Sequence, residues 1–301
     1  MTTPTRLDRA LARVGAGERL APAEITELAG TPDILALGMM ADAVRRHLHG
    51  ATATYLRVAV CPFDGPLADL VPSAAREVRL TGVPQTLAAA VAAVRRAKAA
   101  AGPRVVSGFS WADVEALGER GGVTPDQALA ELRAAGLEAI ADVPIDAVAN
   151  LEAVVESLTR AGFDRLRLTC ASAAAAADRT ALLLRVAALQ DRLGGIQALS
   201  PLPAAVAAVR ATTGYEDVKA VALARLTAPN VPTIQVDWLR YGPKLAQVAL
   251  TFGADDLDTV TPSDAAPDGQ RRAPIQDVCR NIEAAALTPV ERDGRFGPVA
   301  G

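Results

Sequence analysis

Short runs of apolar and β-branched residues alternate along most of this chain with longer amphipathic stretches. The apolar runs cover residues 55–60, 77–81, 104–108, 138–142, 165–170, 196–199 and 233–238. Helical stretches such as 84–101, 151–161, 179–193 and 214–228 lie between them. Repeated strand–helix–strand units form a parallel sheet with right-handed crossovers. The chain is therefore predicted to adopt an α/β fold.

The run of strand and helix units also predicts how the chain is divided. Seven units without a change of composition favour a single (β/α) barrel, complete or incomplete, with a doubly wound open sheet as the alternative. Residues 1–50 are predicted to form an N-terminal helical segment, because apolar residues recur there at helical spacing. The barrel is assigned to 51–260. Segment 261–301 is expected to be a loop and a short helix packed on the barrel.

The charge balance, the cysteine spacing and the short apolar runs argue against several classes of protein. The net charge is −3, whereas nucleic-acid-binding domains usually gather a basic excess on one face. The N-terminus has no apolar targeting segment, and no apolar run is long enough to cross a bilayer. Three cysteines far apart do not have the pattern of a disulfide framework. We expect a cytoplasmic protein with no membrane span and no nucleic-acid partner.

Several segments, in chain order, resemble one family. They are GERL at 17–20, ILALG at 34–38, GVTPDQAL at 122–129, the stretch 238–258 with GPKLAQVAL and FGADDLD, and PVERD at 289–293. They resemble the radical S-adenosylmethionine enzymes of menaquinone biosynthesis, aminofutalosine synthase and dehypoxanthine futalosine cyclase, and the former more closely. The resemblance implies a barrel of radical-SAM type and a place in the futalosine route to menaquinone.

One motif of that family is missing. Its enzymes carry CxxxCxxC on the loop after the first strand, where three thiolates bind a [4Fe–4S] cluster whose fourth iron takes S-adenosylmethionine. Here the same loop reads CPFDGP from Cys61, so a single cysteine remains. A cluster requires several soft ligands at close spacing. We therefore expect no resident cofactor and no [4Fe–4S] cluster, with S-adenosylmethionine as an alternative ligand.

The candidate cofactor-binding residues follow from the resemblance. Thr81 and Gly82 end the second predicted strand, where the family places a glycine pair facing the methionyl part of its cofactor, and Gln197 is assigned with them. His47 and His49 are two residues apart on a helix and cannot form a metal pair. No catalytic residue and no metal ligand is therefore predicted.

The densest polar set near a predicted strand end supplies the candidate substrate-binding residues. These are Asp237, Trp238, Lys244, Asp255 and Asp256. Active sites of (β/α) barrels lie at the carboxyl ends of the strands, a position that fits the first two. An ion pair between Lys244 and Asp255 is expected, and the alternative reading is a brace for the last helix.

Three functions remain open at this point. The first is a non-catalytic homologue of aminofutalosine synthase that acts as partner or scaffold for a homologous, cluster-bearing menaquinone enzyme. The second is a binding protein, or an enzyme of altered chemistry, for a small molecule such as a nucleoside or S-adenosylmethionine. The third is a divergent aminofutalosine synthase, which has only the family resemblance in its favour.

Overall fold

Three helices precede the first strand of the barrel in the described part of the chain. The computed structural model describes residues 6–67, 71–172, 176–203, 213–263 and 274–299. The opening helices are α1 (Arg6–Gly15), α2 (Pro22–Gly30) and α3 (Ile34–His49). Asp33 caps α3 by accepting a hydrogen bond from the backbone N–H of Ala36 at 3.0 Å, and Gly50 ends it with a φ of 59°. The buried face of α3 includes Leu37 and Met40.

Parallel strands and outer helices follow in alternation. The strands are β1 (Thr52–Pro62), β2 (Glu77–Thr81), β3 (Val105–Ser110), β4 (Ala139–Pro144), β5 (Leu166–Cys170), β6 (Ile196–Pro203), β7 (Thr233–Asp237) and β8 (Asp256–Val260). The helices are α4 (Leu87–Ala101), α5 (Trp111–Gly121), α6 (Pro125–Ala134), α7 (Leu151–Arg160), α8 (Ala176–Leu193), α9 (Gly214–Thr227) and α10 (Trp238–Thr251). Side-chain caps at Thr86, Ser110, Thr124, Asn150, Thr213 and Asp237 begin six of these helices.

The sheet closes into a barrel. Each strand pairs in parallel with the next along the chain, and β8 pairs with β1. The closed barrel confirms the predicted fold and excludes the open doubly wound sheet. The unit that completes it is β8, a strand absent from the seven predicted runs because Asp256 and Asp258 interrupt its apolar pattern. The apolar core lies mainly between the barrel and its outer helices.

The C-terminal segment adds a strand that the sequence does not predict. After α11 (Ile275–Ala284), strand β9 (Thr288–Glu291) pairs in parallel with residues 52–55 of β1. The other half of β1, residues 58–62, pairs with β2. Strand β9 therefore lies beside β1 at the amino-terminal end of the barrel. Residues 264–273 of the expected C-terminal loop lie outside the described residues. Within the described part of the chain, no helix is long and apolar enough to cross a membrane.

Candidate functional site

The interior of the barrel contains a layer of paired charges. Arg167 of β5 donates to both carboxylate oxygens of Glu77 on β2, at 2.8 and 2.6 Å. Arg79, two residues further along β2, donates to Glu77 Oε1 at 2.7 Å and to Asp258 Oδ2 at 2.9 Å. Glu77 is fully buried and Arg167 is 3 % exposed. Charges as buried as these are tolerated only when they are paired.

Burial and neighbouring cations compete at the two carboxylates, and the cations prevail. Burial alone would raise the pKa of Glu77, but the charges of Arg167 and Arg79 outweigh it and lower the pKa to about 2. The pKa of Asp258 is likewise lowered, because Arg79 outweighs the effect of burial. Both carboxylates are therefore ionised at neutral pH.

A second ionic group extends this layer to the C-terminal segment. Arg292, which follows β9, donates to Asp256 through Nε at 2.6 Å and through Nη2 at 2.7 Å. Gln235 of β7 donates to Asp256 Oδ2 at 2.8 Å, and Thr54 of β1 donates to its other oxygen at 2.5 Å. The buried carboxylate of Asp256 on β8 thus binds side chains from β1, from β7 and from the segment after β9.

The residues after β9 form the floor of the barrel. The carbonyl oxygen of Gly294 accepts a hydrogen bond from Arg167 Nη2 at 3.0 Å. The ring of Phe296 lies between two guanidinium groups, 5.2 Å from Arg167 Cζ and 4.1 Å from Arg292 Cζ. A Cβ added to Gly294 would come within 2.6 Å of Val105 Cβ, so only glycine fits there. We call residues 292–299 the C-terminal floor.

A cavity of about 190 Å³ lies against these charges inside the barrel. Its lining residues are Arg79, Ala141, Asp142, Arg167, Thr169, Ser200, Leu202, Gln235, Asp237, Arg240, Tyr241 and Asp258. Among the described residues, Arg167 Nε has no hydrogen-bond partner although it is buried. Arg167 thus lines the cavity although its Nε atom is itself shielded from solvent.

Asp237 is the sequence-predicted residue that lines the cavity. It is the last residue of β7, and one oxygen accepts the backbone N–H of Arg240 at 2.8 Å. Burial, and then the nearby charge of Asp258, raise the pKa of Asp237. Asp256 lies next to the cavity, within the ionic layer. Trp238, the first residue of α10, is buried in the apolar core.

The expected ion pair between Lys244 and Asp255 is not formed, so that prediction is wrong. Asp255 precedes β8 at the amino-terminal end of the barrel, where the fully buried Arg225 pairs with it. Its other oxygen lies 3.6 Å from His49 Nε2. Lys244 is exposed on α10. Asp255 thus joins α9 to the start of β8.

The three residues assigned to a cofactor are not brought together. Thr81 and Gly82 lie at the carboxyl end of β2, whereas Gln197 is near the amino-terminal start of β6 and donates to Thr233 Oγ1 at 3.4 Å. Gly82 has a φ of 78°, and a Cβ there would lie 3.0 Å from the ring of Phe63. The aromatic ring of the loop after β1 therefore covers the glycine that was expected to face a cofactor.

The side chains at the end of β1 do not fit a [4Fe–4S] cluster. Cys61 is fully buried whereas its neighbour Val60 is 41 % exposed, and burial raises the pKa of the Cys61 thiol. Cluster ligands are thiolates, which burial disfavours. The next residues are held in place, because Phe63 donates its N–H to Thr81 and accepts from Arg96 Nη2 at 2.6 Å.

The remaining cysteines lie elsewhere in the fold. Cys170 ends β5, and burial raises its pKa to about 12; Cys279 lies on α11. The described residues contain no group of three or more His, Cys, Asp or Glu side chains that could hold a metal ion. The three cysteines lie on β1, β5 and α11, so they do not supply the three closely spaced thiolates that the cluster needs.

The sequence analysis missed most of the interior charges, although a signal for them exists. Glu77 and Arg79, and likewise Asp256 and Asp258, are two residues apart and so share one face of a strand. The strands of a parallel barrel are covered on both sides. Charges that alternate with apolar residues on such a strand therefore indicate a polar barrel interior.

Solved structures with the same fold define the class of this barrel. Methylornithine synthase (PylB) superposes with a TM-score of 0.68 over 95 % of this chain and 98 % of its own, at 14 % identity. HydG, a maturase of the [FeFe]-hydrogenase, gives 0.70 over 98 % of this chain and 79 % of its own, at 12 % identity. The fold is the (β/α) barrel of radical-SAM type.

Sequence comparisons show which known proteins the chain resembles. Residues 202–297 match the model for the CofH/MqnC C-terminal region. Aminodeoxyfutalosine synthase of Streptomyces coelicolor is 33 % identical over 138 residues, which cover 38 % of this chain and 35 % of the relative. Cyclic dehypoxanthine futalosine synthase of the same organism is 25 % identical over 360 residues, which cover 97 % of this chain and 88 % of the relative. These matches support the predicted resemblance to the radical S-adenosylmethionine family of menaquinone biosynthesis.

The name of a further relative gives a different substrate. The 5-amino-6-(D-ribitylamino)uracil–L-tyrosine 4-hydroxyphenyl transferase of Archaeoglobus fulgidus is 32 % identical over 124 residues, or 37 % of this chain and 36 % of the relative. Like the match to aminodeoxyfutalosine synthase, this one spans about a third of the relative's length. Such partial matches, to relatives whose names give different reactions, assign no reaction to this chain.

Proposed function

We propose that this chain is a non-catalytic homologue of aminofutalosine synthase that holds no [4Fe–4S] cluster. The observation that carries the proposal is the end of β1, where the single cysteine is buried and Phe63 covers Gly82. Without three thiolates there is no site for the iron to which S-adenosylmethionine binds. In this proposal the chain serves futalosine-route menaquinone biosynthesis in the cytoplasm, as a partner of a cluster-bearing homologue.

Anaerobic reconstitution with iron and sulfide tests the first part of this proposal. A cluster-bearing aminodeoxyfutalosine synthase treated in parallel is the positive control. We expect sub-stoichiometric iron and no charge-transfer absorption from the chain, and about four irons per chain from the control. About four irons bound to the chain, lost in the Cys61→Ser variant, would refute the proposal.

Co-expression with the cluster-bearing homologue tests the partner role. Outer helices of a barrel offer surfaces on which a related barrel can pack. A stoichiometric complex that survives gel filtration is the expected result. A chain that elutes alone after co-expression with the aminodeoxyfutalosine synthase and with the cyclic dehypoxanthine futalosine synthase would contradict the partner role.

The cavity favours a second candidate, a small-molecule binding protein or an enzyme of altered chemistry. The charged side chains of Asp237 and Arg167 both line it, which is the pattern of a small-molecule site with a few oriented polar groups. Saturable binding of adenosine or S-adenosylmethionine, with a rise in the melting temperature, is the test. Divergent aminofutalosine synthase activity remains a weaker alternative, supported by the relatives alone.

A further inference from the structure

Two helices on the outside of the barrel leave large apolar side chains exposed. Leu35 and Met39 of α3 are 71 % and 67 % exposed, and Val248 of α10 is 44 % exposed. Leu35 and Met39 are four residues apart and therefore lie on one side of α3. Single exposed apolar side chains are ordinary on a protein surface, whereas a contiguous group of them marks an interaction surface.

The exposed residues of the two helices are neighbours. The ring of Phe252, which follows α10, covers Gly38 of α3, where an added Cβ would lie 2.9 Å from Phe252 Cε1. Met39 follows Gly38 in the chain, and Val248 lies about one turn before Phe252. The side chains of Leu35, Met39, Val248 and Phe252 therefore form one surface, which we call the α3–α10 face.

The two helices run in the same direction along the barrel. Before the start of α3, the carbonyl oxygen of Pro32 accepts a hydrogen bond from the hydroxyl of Tyr215 at 2.8 Å, and Tyr215 lies in the first turn of α9, at the carboxyl end of the barrel. At the end of α3, His49 Nε2 lies 2.8 Å from the carbonyl oxygen of Pro232, just before β7. Helix α3 therefore runs from the carboxyl end of the barrel to its amino end, as does α10, which follows β7.

Acidic and basic residues lie at both ends of the α3–α10 face. Asp33 and Lys244 are exposed at the end nearer the carboxyl edge of the barrel. Asp42 and Arg46 lie at the other end, where Arg46 Nε donates to Asp42 Oδ2 at 2.7 Å and the Arg46 side chain is 46 % exposed. The four charges cancel, so the rim has no net charge that would attract a nucleic acid or an anionic membrane.

A second copy of the chain supplies the complement of this face. Because both helices run in one direction, a two-fold axis through the middle of the face sets the helices of one copy antiparallel to those of the other. The end with Asp33 and Lys244 then lies opposite the end with Arg46 and Asp42. Acidic residues meet basic residues at both rims, and the apolar side chains meet in the centre. Two-fold contacts require this kind of self-complementary surface.

We propose that the chain forms a two-fold homodimer through the α3–α10 face. The face is smaller than a standard interface, which takes roughly 20–30 residues from each partner, so the dimer is weak and reversible. The proposal goes beyond the proposed function, because it concerns copies of this chain alone.

Sedimentation of the full-length chain over a range of concentrations, from about 1 µM to 1 mM, tests the proposal. We expect the weight-average mass to rise with concentration from that of one chain towards that of two. It should rise no further, because a two-fold contact is closed. A mass that stays at one chain throughout, or one that grows beyond two chains, would overturn the proposal.

Met39→Glu and Val248→Glu locate the contact on the two helices. Two-fold symmetry places each new carboxylate in the interface twice, so we expect the dissociation constant to rise roughly tenfold or more in each variant. The matched control is Leu193→Glu, since Leu193 is 40 % exposed at the end of α8, outside the face. Circular dichroism melts establish that each variant is folded. An unchanged constant in both face variants, or equal weakening by Leu193→Glu, would overturn the proposal.

A charge reversal tests the antiparallel arrangement. Lys244→Glu sets a carboxylate opposite Asp42 of the second copy, and like charges across an interface weaken it. We expect a raised dissociation constant whose difference from the wild type shrinks at high salt. Lys244→Arg keeps the charge and should dimerise as the wild type does. Equal dimerisation by Lys244→Glu and the wild type at low salt would overturn the two-fold arrangement.

Two other occupants of the face are distinguished by the same variants. A chain that is monomeric alone, but forms a complex with the aminodeoxyfutalosine synthase that Met39→Glu abolishes, would overturn the homodimer and support the partner role. A monomer that binds phosphatidylcholine vesicles, again only without Met39→Glu, would also overturn the homodimer. Iron content is measured separately, so failure of the homodimer and failure of the cluster-free proposal give different results.

Discussion

Arg292 and Asp256 form a buried, two-pronged ion pair that joins the C-terminal floor to the first residue of β8. Their N–O distances are 2.6 and 2.7 Å, and the two side chains are 1 % and 0 % exposed. The same guanidinium stacks on Phe296 at 4.1 Å. The pair therefore links the closing strand of the barrel to a segment 36 residues further along the chain.

Loss of one partner of this pair should strongly destabilise the fold. Arg292→Met leaves Asp256 buried without its cation, a change that typically costs about 3–5 kcal/mol. Urea unfolding measures the free energy. The control is Arg295→Ala, since Arg295 is 43 % exposed and pairs with Glu138 at the surface, where about 1 kcal/mol or less is expected. Equal losses in the two variants would contradict the role given to Arg292.

Acid should lower the free energy of unfolding because it protonates Glu77. In the unfolded chain a glutamate protonates near pH 4.3, whereas in the folded chain the pKa of Glu77 is lowered to about 2. The unfolded state therefore binds more protons in this window, so stability is full above about pH 4.3 and falls as the pH drops towards 2. Over this pH range, the urea midpoint of Glu77→Gln should depend less steeply on pH than that of the wild type. The exposed Glu131→Gln on α6 should keep the wild-type slope, and an unchanged slope in Glu77→Gln would count against the ionised layer.

The alternating pattern of the sequence predicts the barrel because it depends on local chemistry. Runs of apolar residues and capped helices are local, and most of the strands begin and end near their predicted bounds. Strand β8 escapes this reasoning because Asp256 and Asp258 are paired with arginines from other elements. Strand β9 is not predicted by local patterns because it pairs with β1, at the opposite end of the barrel sequence.

The candidate site was predictable only in part. Asp237 is found by its place at the end of a strand. Arg167 and Glu77 are recognised as partners only once the barrel is closed, since nothing in their sequence neighbourhoods relates them. The pair between Arg225 and Asp255 could not be predicted for the same reason, and Lys244 was chosen because it is nearer in sequence.

Thiol reactivity should report how well the end of β1 is closed. Cys61 is fully buried and Cys170 is 4 % exposed, whereas Cys279 is partly exposed. We expect Cys279 to be alkylated first in the folded chain and all three in urea, as mass spectrometry of alkylated peptides would show. Burial raises all three pKa values, so labelling should accelerate with pH as the thiolate fraction grows. Fast labelling of Cys61 in the folded chain would show that its thiol is available as a ligand.

Replacing Arg225 should destabilise the fold far more than replacing Lys244, although sequence reasoning paired Asp255 with the lysine. Arg225 is fully buried and also donates to the carbonyl oxygen of Gly253 at 2.9 Å, so Arg225→Met leaves a buried carboxylate without its cation and should cost about 3–5 kcal/mol. Lys244→Ala changes an exposed side chain and should stay within about 0.5 kcal/mol of the wild type. Urea unfolding of both variants measures this difference. A large loss in Lys244→Ala would restore the lysine as the partner that braces the last strand of the barrel.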